Sequence, residues 1–214
     1  MKKIGVFISH PIQYQSPLYK KLAKETDLTV YYYSKHGVEK SLDPQFGKIF
    51  KWDIPLFEGY KFIFLKNYSL FAGLINKFFS VKKAEKQVFG FSPFNFFGFI
   101  NFSIFKEIKK NKYDAVLINS WSYLSDWFVV LSGILTKTPV FLRAENPLNQ
   151  ELLKAKWKLR LKKIILGKIL FPRIKKFLYI GEENKKFYKF YGVSEKKLIF
   201  TPYAVDNERF IQQE

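Results

Sequence analysis

Cysteine is absent from the 214-residue chain, which excludes disulfides, thiolate-held zinc, iron–sulfur clusters and thiol nucleophiles. Histidine is almost as scarce. His10 and His36 are the only two, too few and too separated to suggest a histidine-based metal centre, so no metal is expected. Long apolar runs are missing too. A bilayer span takes roughly 18 or more consecutive apolar residues, and the longest candidate, Trp127 to Leu135, is interrupted by Ser132 and Gly133. The basic start Met1-Lys2-Lys3 leads into Ile4-Gly5-Val6-Phe7-Ile8 and then at once into Ser9-His10-Pro11, short of the apolar core of a signal peptide. A cytoplasmic location is therefore the expectation. Acidic residues are under-represented, 18 against 37 Lys and Arg, for a net charge of +19. Such a surface attracts nucleic acid, anionic lipid and phosphorylated ligands alike. Because Lys, Ile, Phe, Asn and Tyr are abundant while Met and Arg are scarce, part of the excess is compositional, and charge alone does not choose among these partners. Three sequence signatures of α/β enzymes, G-x-S-x-G, G-x-G-x-x-G and G-x-x-x-x-G-K-[ST], are also missing, which removes three common tenants of such folds.

What is present is a core and an alternation. With 48% hydrophobic residues, a chain of this length can close a substantial interior. Short runs rich in branched and aromatic residues predict strands near 4–8, 28–33, 114–118, 139–143, 177–180 and 198–201. Helical periodicity falls between them, near 17–26, 72–88, 101–111, 123–136, 151–171 and 182–191, the last two stopped by Pro172 and Gly192. The stretch from Ser34 to Asn67, with Asp43-Pro44, Gly47, Pro55 and Gly59, reads as a loop or a short hairpin insertion. Strand and helix in alternation predict an α/β fold, a Rossmann-like, doubly wound and mostly parallel sheet with helices on both faces.

Parallel strands bring their carboxyl ends to one rim, and ligands of open α/β sheets bind in the crevice there. Ser9-His10-Pro11, Asn119-Ser120-Trp121, Ala144-Glu145-Asn146, Gly181-Glu182-Glu183 and Pro202-Tyr203-Ala204 each come directly after a strand. Helix N-termini opening from such a rim favour anions. The first loop alone makes His10, Gln13, Tyr14 and Gln15 candidates.

These residues resemble the N-terminal half of family 4 glycosyltransferases, which have the two-domain GT-B fold. The resemblance rests on His10-Pro11-Ile12-Gln13-Tyr14 with Pro17-Leu18, on Asp43-Pro44-Gln45-Phe46-Gly47 leading to Trp52-Asp53-Ile54-Pro55-Leu56 and Gly59-Tyr60, and on Tyr113-Asp114-Ala115-Val116. It continues in Phe187-Tyr188-Lys189-Phe190-Tyr191-Gly192-Val193, in Lys197-Leu198-Ile199, and in Pro202-Tyr203-Ala204-Val205-Asp206 with Phe210. It implies transfer of a hexosyl group from a nucleotide sugar to a glycan or lipid-linked acceptor, with retention and without metal or other cofactor. It also implies an acceptor-side domain over 1–205, with 206–214 beginning the linker to a donor-binding domain that this chain lacks. Transfer would then need that domain or a partner subunit. The site residues it suggests are His10 as catalytic, and Gln13, Tyr14, Ser120, Trp121, Arg143 and Glu145 as substrate-binding.

Each candidate has a plainer reading. His10 can orient an acceptor or hold a loop backbone, and Trp121 can stack on a sugar or pack. Many family members carry a histidine where this chain has Asn119-Ser120-Trp121. Arg143 and Glu145, two residues apart, can bind sugar or phosphate or pair with each other. The stretch from Lys154 to Lys176 holds ten Lys or Arg and no acid among Trp157, Leu161, Ile164 and other apolar residues, which suits a helix lying on an anionic membrane face as well as one packed on the sheet. The Phe-rich stretch Phe89 to Phe105 suits core or domain packing. A non-catalytic partner of another transferase and a basic nucleic-acid-binding module are the other functional readings, the latter without a zinc-finger, helix-turn-helix or RRM pattern to support it.

Overall fold

The computed structural model describes residues 1–35, 38, 41–43, 48–50, 55–69 and 96–203. The helix expected at 72–88, His36, Asp53, part of the Phe-rich stretch and the boundary at 205/206 lie outside the described residues. Seven strands form one sheet: β1 (Lys3–Ile8), β2 (Asp27–Tyr32), β5 (Lys61–Phe64), β6 (Ala115–Ile118), β7 (Val140–Leu142), β8 (Lys176–Tyr179) and β9 (Leu198–Phe200). Their order is β5-β2-β1-β6-β7-β8-β9, and every pairing is parallel. The short strands β3 (Ser41–Asp43) and β4 (Lys48–Phe50) form a separate antiparallel ladder.

Side chains of a strand alternate between faces, and both faces are buried here. Val6, Ile8, Val30 and Tyr32 form one core with Tyr19 of α1 (Ser16–Glu25). Phe7, Tyr31, Tyr33, Val116 and Ile118 point into the other, beside Ile104 and Ile108 of α2 (Ser103–Asn111) and Val129 and Val130 of α3 (Leu124–Thr136). Phe177, Phe187, Tyr188 and Tyr191 extend that second core under the last strands. Helices on both faces over an all-parallel sheet make the fold Rossmann-like and doubly wound.

All six expected strands are present, and five of the six helical patterns fall on described residues. Two details differ. A further strand, β5, joins the sheet at its edge from within the stretch read as loop or hairpin. Three of its four residues are exposed, so it lacks the buried alternation that marks a strand. The helix expected over 151–171 is broken into α4 (Leu148–Leu152), α5 (Lys156–Lys162), a π-helical run Lys163–Leu170 and a 3-10 turn Phe171–Arg173. Within the π-helical run Gly167 permits close packing, since a Cβ there would lie 2.8 Å from the Tyr191 carbonyl oxygen. The sixth helix, α6 (Glu182–Phe190), begins after Gly181 with Glu182 and Glu183 in its first turn, where carboxylates suit the helix dipole.

Several polar groups inside this core are matched to one another. The Tyr31 and Tyr113 hydroxyls bond each other at 2.7 Å, and buried Asn101 donates its amide to the carbonyls of Tyr33, Leu65 and Lys66. Asp126 is the costliest member. It is 1% exposed, accepts from the Tyr33 hydroxyl at 2.9 Å and from the Tyr123 N–H at 3.2 Å, and burial pushes its carboxyl up to about 7. A carboxyl raised in the folded state holds its proton longer there than in the unfolded chain, so its contribution is greatest below about pH 4 and is lost as pH rises to about 7. The shift corresponds to a loss of up to about 4 kcal/mol across that window. Asp126→Asn is expected to remove this fall, measured as denaturation midpoints from pH 4 to pH 8. An unchanged pH profile in the variant would contradict it.

Candidate functional site at the carboxyl rim

The chain runs outward from β1 to β2 and β5, then returns to β6 and runs outward the other way. Strand order therefore reverses between β1 and β6, and the loops leaving those two strands diverge to opposite faces and leave a crevice. Side chains from both loops meet across it. Asn119, just after β6, donates its amide to Gln15 Oε1 at 2.8 Å and to the Tyr19 hydroxyl at 3.1 Å, and Tyr19 donates in turn to Gln15. Burial raises the Tyr19 hydroxyl well out of the physiological range, so it stays a neutral donor. His10 opens the same loop, its Nδ1 within 2.9 Å of Ser9 Oγ.

Beyond the crevice the loop after β1 reaches β7. The Tyr14 hydroxyl donates to Glu145 Oε1 at 3.2 Å, and burial with the neighbouring Glu145 charge pushes Tyr14 up to about 12. The Tyr14 ring meets Tyr203 edge to face at 5.1 Å, and the Arg143 guanidinium lies 4.6 Å from the Tyr203 ring centre. Arg143 is 7% exposed and donates one Nη2 bond, 3.4 Å, to the Thr201 carbonyl. It forms no ion pair with Glu145, so of the two readings of that pair the internal salt bridge is not what the structure contains.

Trp121 and Ser120 flank the other side. The Trp121 indole donates to Asn146 Oδ1 at 3.2 Å, its backbone carbonyl accepts from the Trp127 indole at 3.0 Å, and Lys162 Nζ sits 4.6 Å from its ring centre. Ser120 Oγ accepts from the Ser122 N–H at 2.9 Å and also bonds Asp126. Gln13 lies half-buried in the loop after β1. The structure thus brings His10, Gln13, Tyr14, Ser120, Trp121, Arg143 and Glu145 to one rim. Tyr19, Thr201 and Lys162 belong to the same constellation and were not selected from sequence, and Asn119, named there as a rim loop residue but not as a site residue, joins them. A Tyr, a Thr and a Lys in an unremarkable context carry no motif, and the strand order is what shows that they converge.

Behind Trp121, Lys162 is tied to Glu151 at 2.6 Å. Glu151 is itself 2% exposed and also holds Lys154 at 2.7 Å and the Tyr191 hydroxyl at 2.7 Å. Burial works against its charge, but these three donors outweigh burial and hold its carboxyl below the usual range. Among the described residues no cluster of His, Asp and Glu could hold a metal ion, and no helix is long and apolar enough to cross a membrane.

No protein-family model and no curated protein sequence matches the chain. Solved structures are similar, two of them crystal structures of one protein. Anabaena HepE (Alr3699) in complex with UDP and glucose superposes with a TM-score of 0.53 at 12% identity, over 100% of this chain and 50% of that one. The same protein with UDP-glucose gives 0.50 at 10% identity, over 98% and 49%. The chain spans about half the length of the solved protein it matches, and at this identity the likeness is one of fold.

Glu151→Ala would leave Lys162 half-buried without its anion and release its hold on Trp121. The expected cost is about 2–4 kcal/mol, reduced from a fully buried pair by the partial exposure of Lys162, read by chemical denaturation together with a changed Trp fluorescence. A loss within about 0.5 kcal/mol, the scale of an ordinary surface change, would contradict this account of the cluster.

Proposed function

We propose that the chain is the acceptor-side half of a GT-B glycosyltransferase, moving a hexosyl group from a nucleotide sugar to a hydroxyl of a glycan or lipid-linked acceptor, with retention. The observation that carries this reading is the polar rim at the strand-order reversal, on a fold similar to half of a protein solved with UDP-glucose. In this reading the reacting hydroxyl is positioned by the loops after β1, β6 and β7, and positioning is a large share of what such a half contributes. His10 faces the reacting end, Trp121 offers a ring to a sugar face, and Gln13, Tyr14, Ser120 and Glu145 offer donors and acceptors to hydroxyls. Stabilising the departing diphosphate needs cations or N–H donors and falls to the donor-binding half, in the same polypeptide or in a partner. This half by itself is expected to bind sugars without transferring them.

Saturation-transfer NMR with a panel of mono- and oligosaccharides tests the reading. Binding is expected, and Trp121→Ala and His10→Ala are each expected to weaken it about tenfold, some 1.4 kcal/mol, with circular dichroism unchanged. Salt-sensitive binding to generic duplex DNA with no saccharide response would instead support the nucleic-acid reading.

The same half is suited to a membrane face. Trp157, Leu161 and Ile164 lie at i, i+4 and i+7, one side of α5 and its continuation, and are 61%, 50% and 50% exposed. Lys154, Lys156, Lys158, Arg160, Lys163 and Lys168 surround them. Exposed apolar groups within a cationic field are what an anionic lipid surface accepts. Cosedimentation with vesicles containing phosphatidylglycerol is expected, with little on neutral phosphatidylcholine, and Trp157→Ala with Leu161→Ala should abolish most of it. Equal binding to both vesicle types, or none to either, would refute membrane docking.

A further inference from the structure

Arg143 is the most unusual polar group at the rim. Its backbone N–H donates to the Ile118 carbonyl at 2.9 Å, which fixes its Cα at the carboxyl end of β7. It is 93% buried, being 7% exposed, yet its Nε has no hydrogen-bond partner. Its one bond, to the Thr201 carbonyl, is long at 3.4 Å. Among the described residues no carboxylate pairs with it, and the nearest candidate in sequence, Glu145, is engaged by Tyr14. Two other buried atoms of the rim also lack partners, Thr201 Oγ1 and Asn119 Oδ1.

A guanidinium has five N–H donors in a planar fork, and a buried cation without an anion costs several kcal/mol. Water can satisfy N–H groups but does not neutralise the charge. Carboxylate and phosphate fit the fork best. Tyr203 lies against the guanidinium, its ring centre 4.6 Å from Cζ, so displacement of this exposed ring is the way an anion reaches the fork. The unpartnered Thr201 hydroxyl can donate to and accept from sugar hydroxyls, and Asn119 Oδ1 can accept from them.

From this we propose that the acceptor is an acidic sugar, whose oxyanion, a carboxylate or a phosphate ester, seats on Arg143 while its hydroxyls meet Asn119 and Thr201. The proposal rests on the reading of this rim as the acceptor side and adds the chemical class of the acceptor.

Calorimetric or NMR titration of the whole chain tests it with glucuronate and glucose 1-phosphate as the two oxyanion sources, glucose as the neutral comparison, and inorganic phosphate and UDP as anions without the acceptor sugar. At least one sugar oxyanion should bind about tenfold or more tighter than glucose, inorganic phosphate and UDP, the worth of one charge-assisted pair. The better of glucuronate and glucose 1-phosphate identifies the source. Arg143→Gln should bring the ratio to glucose close to one, and Arg143→Lys, which keeps charge without the fork, should restore part of it. Should Arg143→Gln fail to fold, Tyr203→Glu at the exposed edge is the second variant. It places a carboxylate over Arg143 and should remove the preference by occupying the site from within. A preference that survives either folded variant overturns the proposal, as does UDP or inorganic phosphate binding as tightly as the sugar oxyanions. Equal binding of glucose and the sugar acids overturns the acidic class while leaving the acceptor reading standing, and no binding of any sugar overturns both.

Discussion

Parallel pairing is the constraint on which everything else here depends. Six consecutive parallel ladders join the seven strands, and each sends its chain toward the same edge. Register is fixed by the two buried faces. Val6 and Val30 pair on one side, while Phe7 and Tyr31 pair on the other and stack at 4.7 Å. A one-residue slip would exchange the two cores. With direction and register fixed, loops that lie far apart in sequence, from His10 to Tyr203, have one edge on which to emerge. The reversal of strand order between β1 and β6 then opens the gap that Gln15, Tyr19 and Asn119 bridge.

Core and rim differ in how their polar groups are satisfied. Inside, phenolic hydroxyls find partners: Tyr31 on Tyr113, Tyr32 on Tyr60, Tyr33 on Asp126, Tyr188 on the Ala144 backbone and Tyr191 on Glu151. Four buried side-chain atoms among the described residues lack one, and three of them, on Asn119, Arg143 and Thr201, lie at the rim, the fourth being Ser103 Oγ at the start of α2. Unsatisfied buried groups are rare in folded proteins and call for an explanation, and three of these four lie together at one edge. The Glu151 cluster connects this edge to the basic helix. Lys162 bonds Glu151 on one side and sits over the Trp121 ring on the other, so the basic helix is in direct contact with the rim.

The sheet was legible in the sequence because each central strand is a short run of branched and aromatic residues, as in Ile4-Gly5-Val6-Phe7-Ile8 and Ala115-Val116-Leu117-Ile118. The rim was legible for the same reason, since the residues just beyond a strand's carboxyl end can be named without any side-chain geometry. Edge features were not. Lys61-Phe62-Ile63-Phe64 is exposed and joins the sheet through backbone bonds to β2, a tertiary decision with no local signature. The break in the fifth helical pattern falls at Leu153–Ala155, where no Gly or Pro marks it in the sequence. The partner choice of Glu145, which bonds Tyr14 and not Arg143, is likewise set by how the first loop crosses the reversal point, and spacing alone leaves both outcomes open.

The convergence of the first and last loops is the central claim, and the absence of native cysteine allows it to be tested cleanly. Tyr14 and Tyr203 are 43% and 37% exposed with ring centres 5.1 Å apart, whereas Lys112 precedes β6 at the opposite edge of the sheet. A double variant Tyr14→Cys with Tyr203→Cys, treated with a short bismaleimide, should form an internal crosslink rapidly, while Tyr14→Cys with Lys112→Cys should form none. Crosslinking of the second pair, or its failure in the first with both thiols reactive, would contradict a single shared rim.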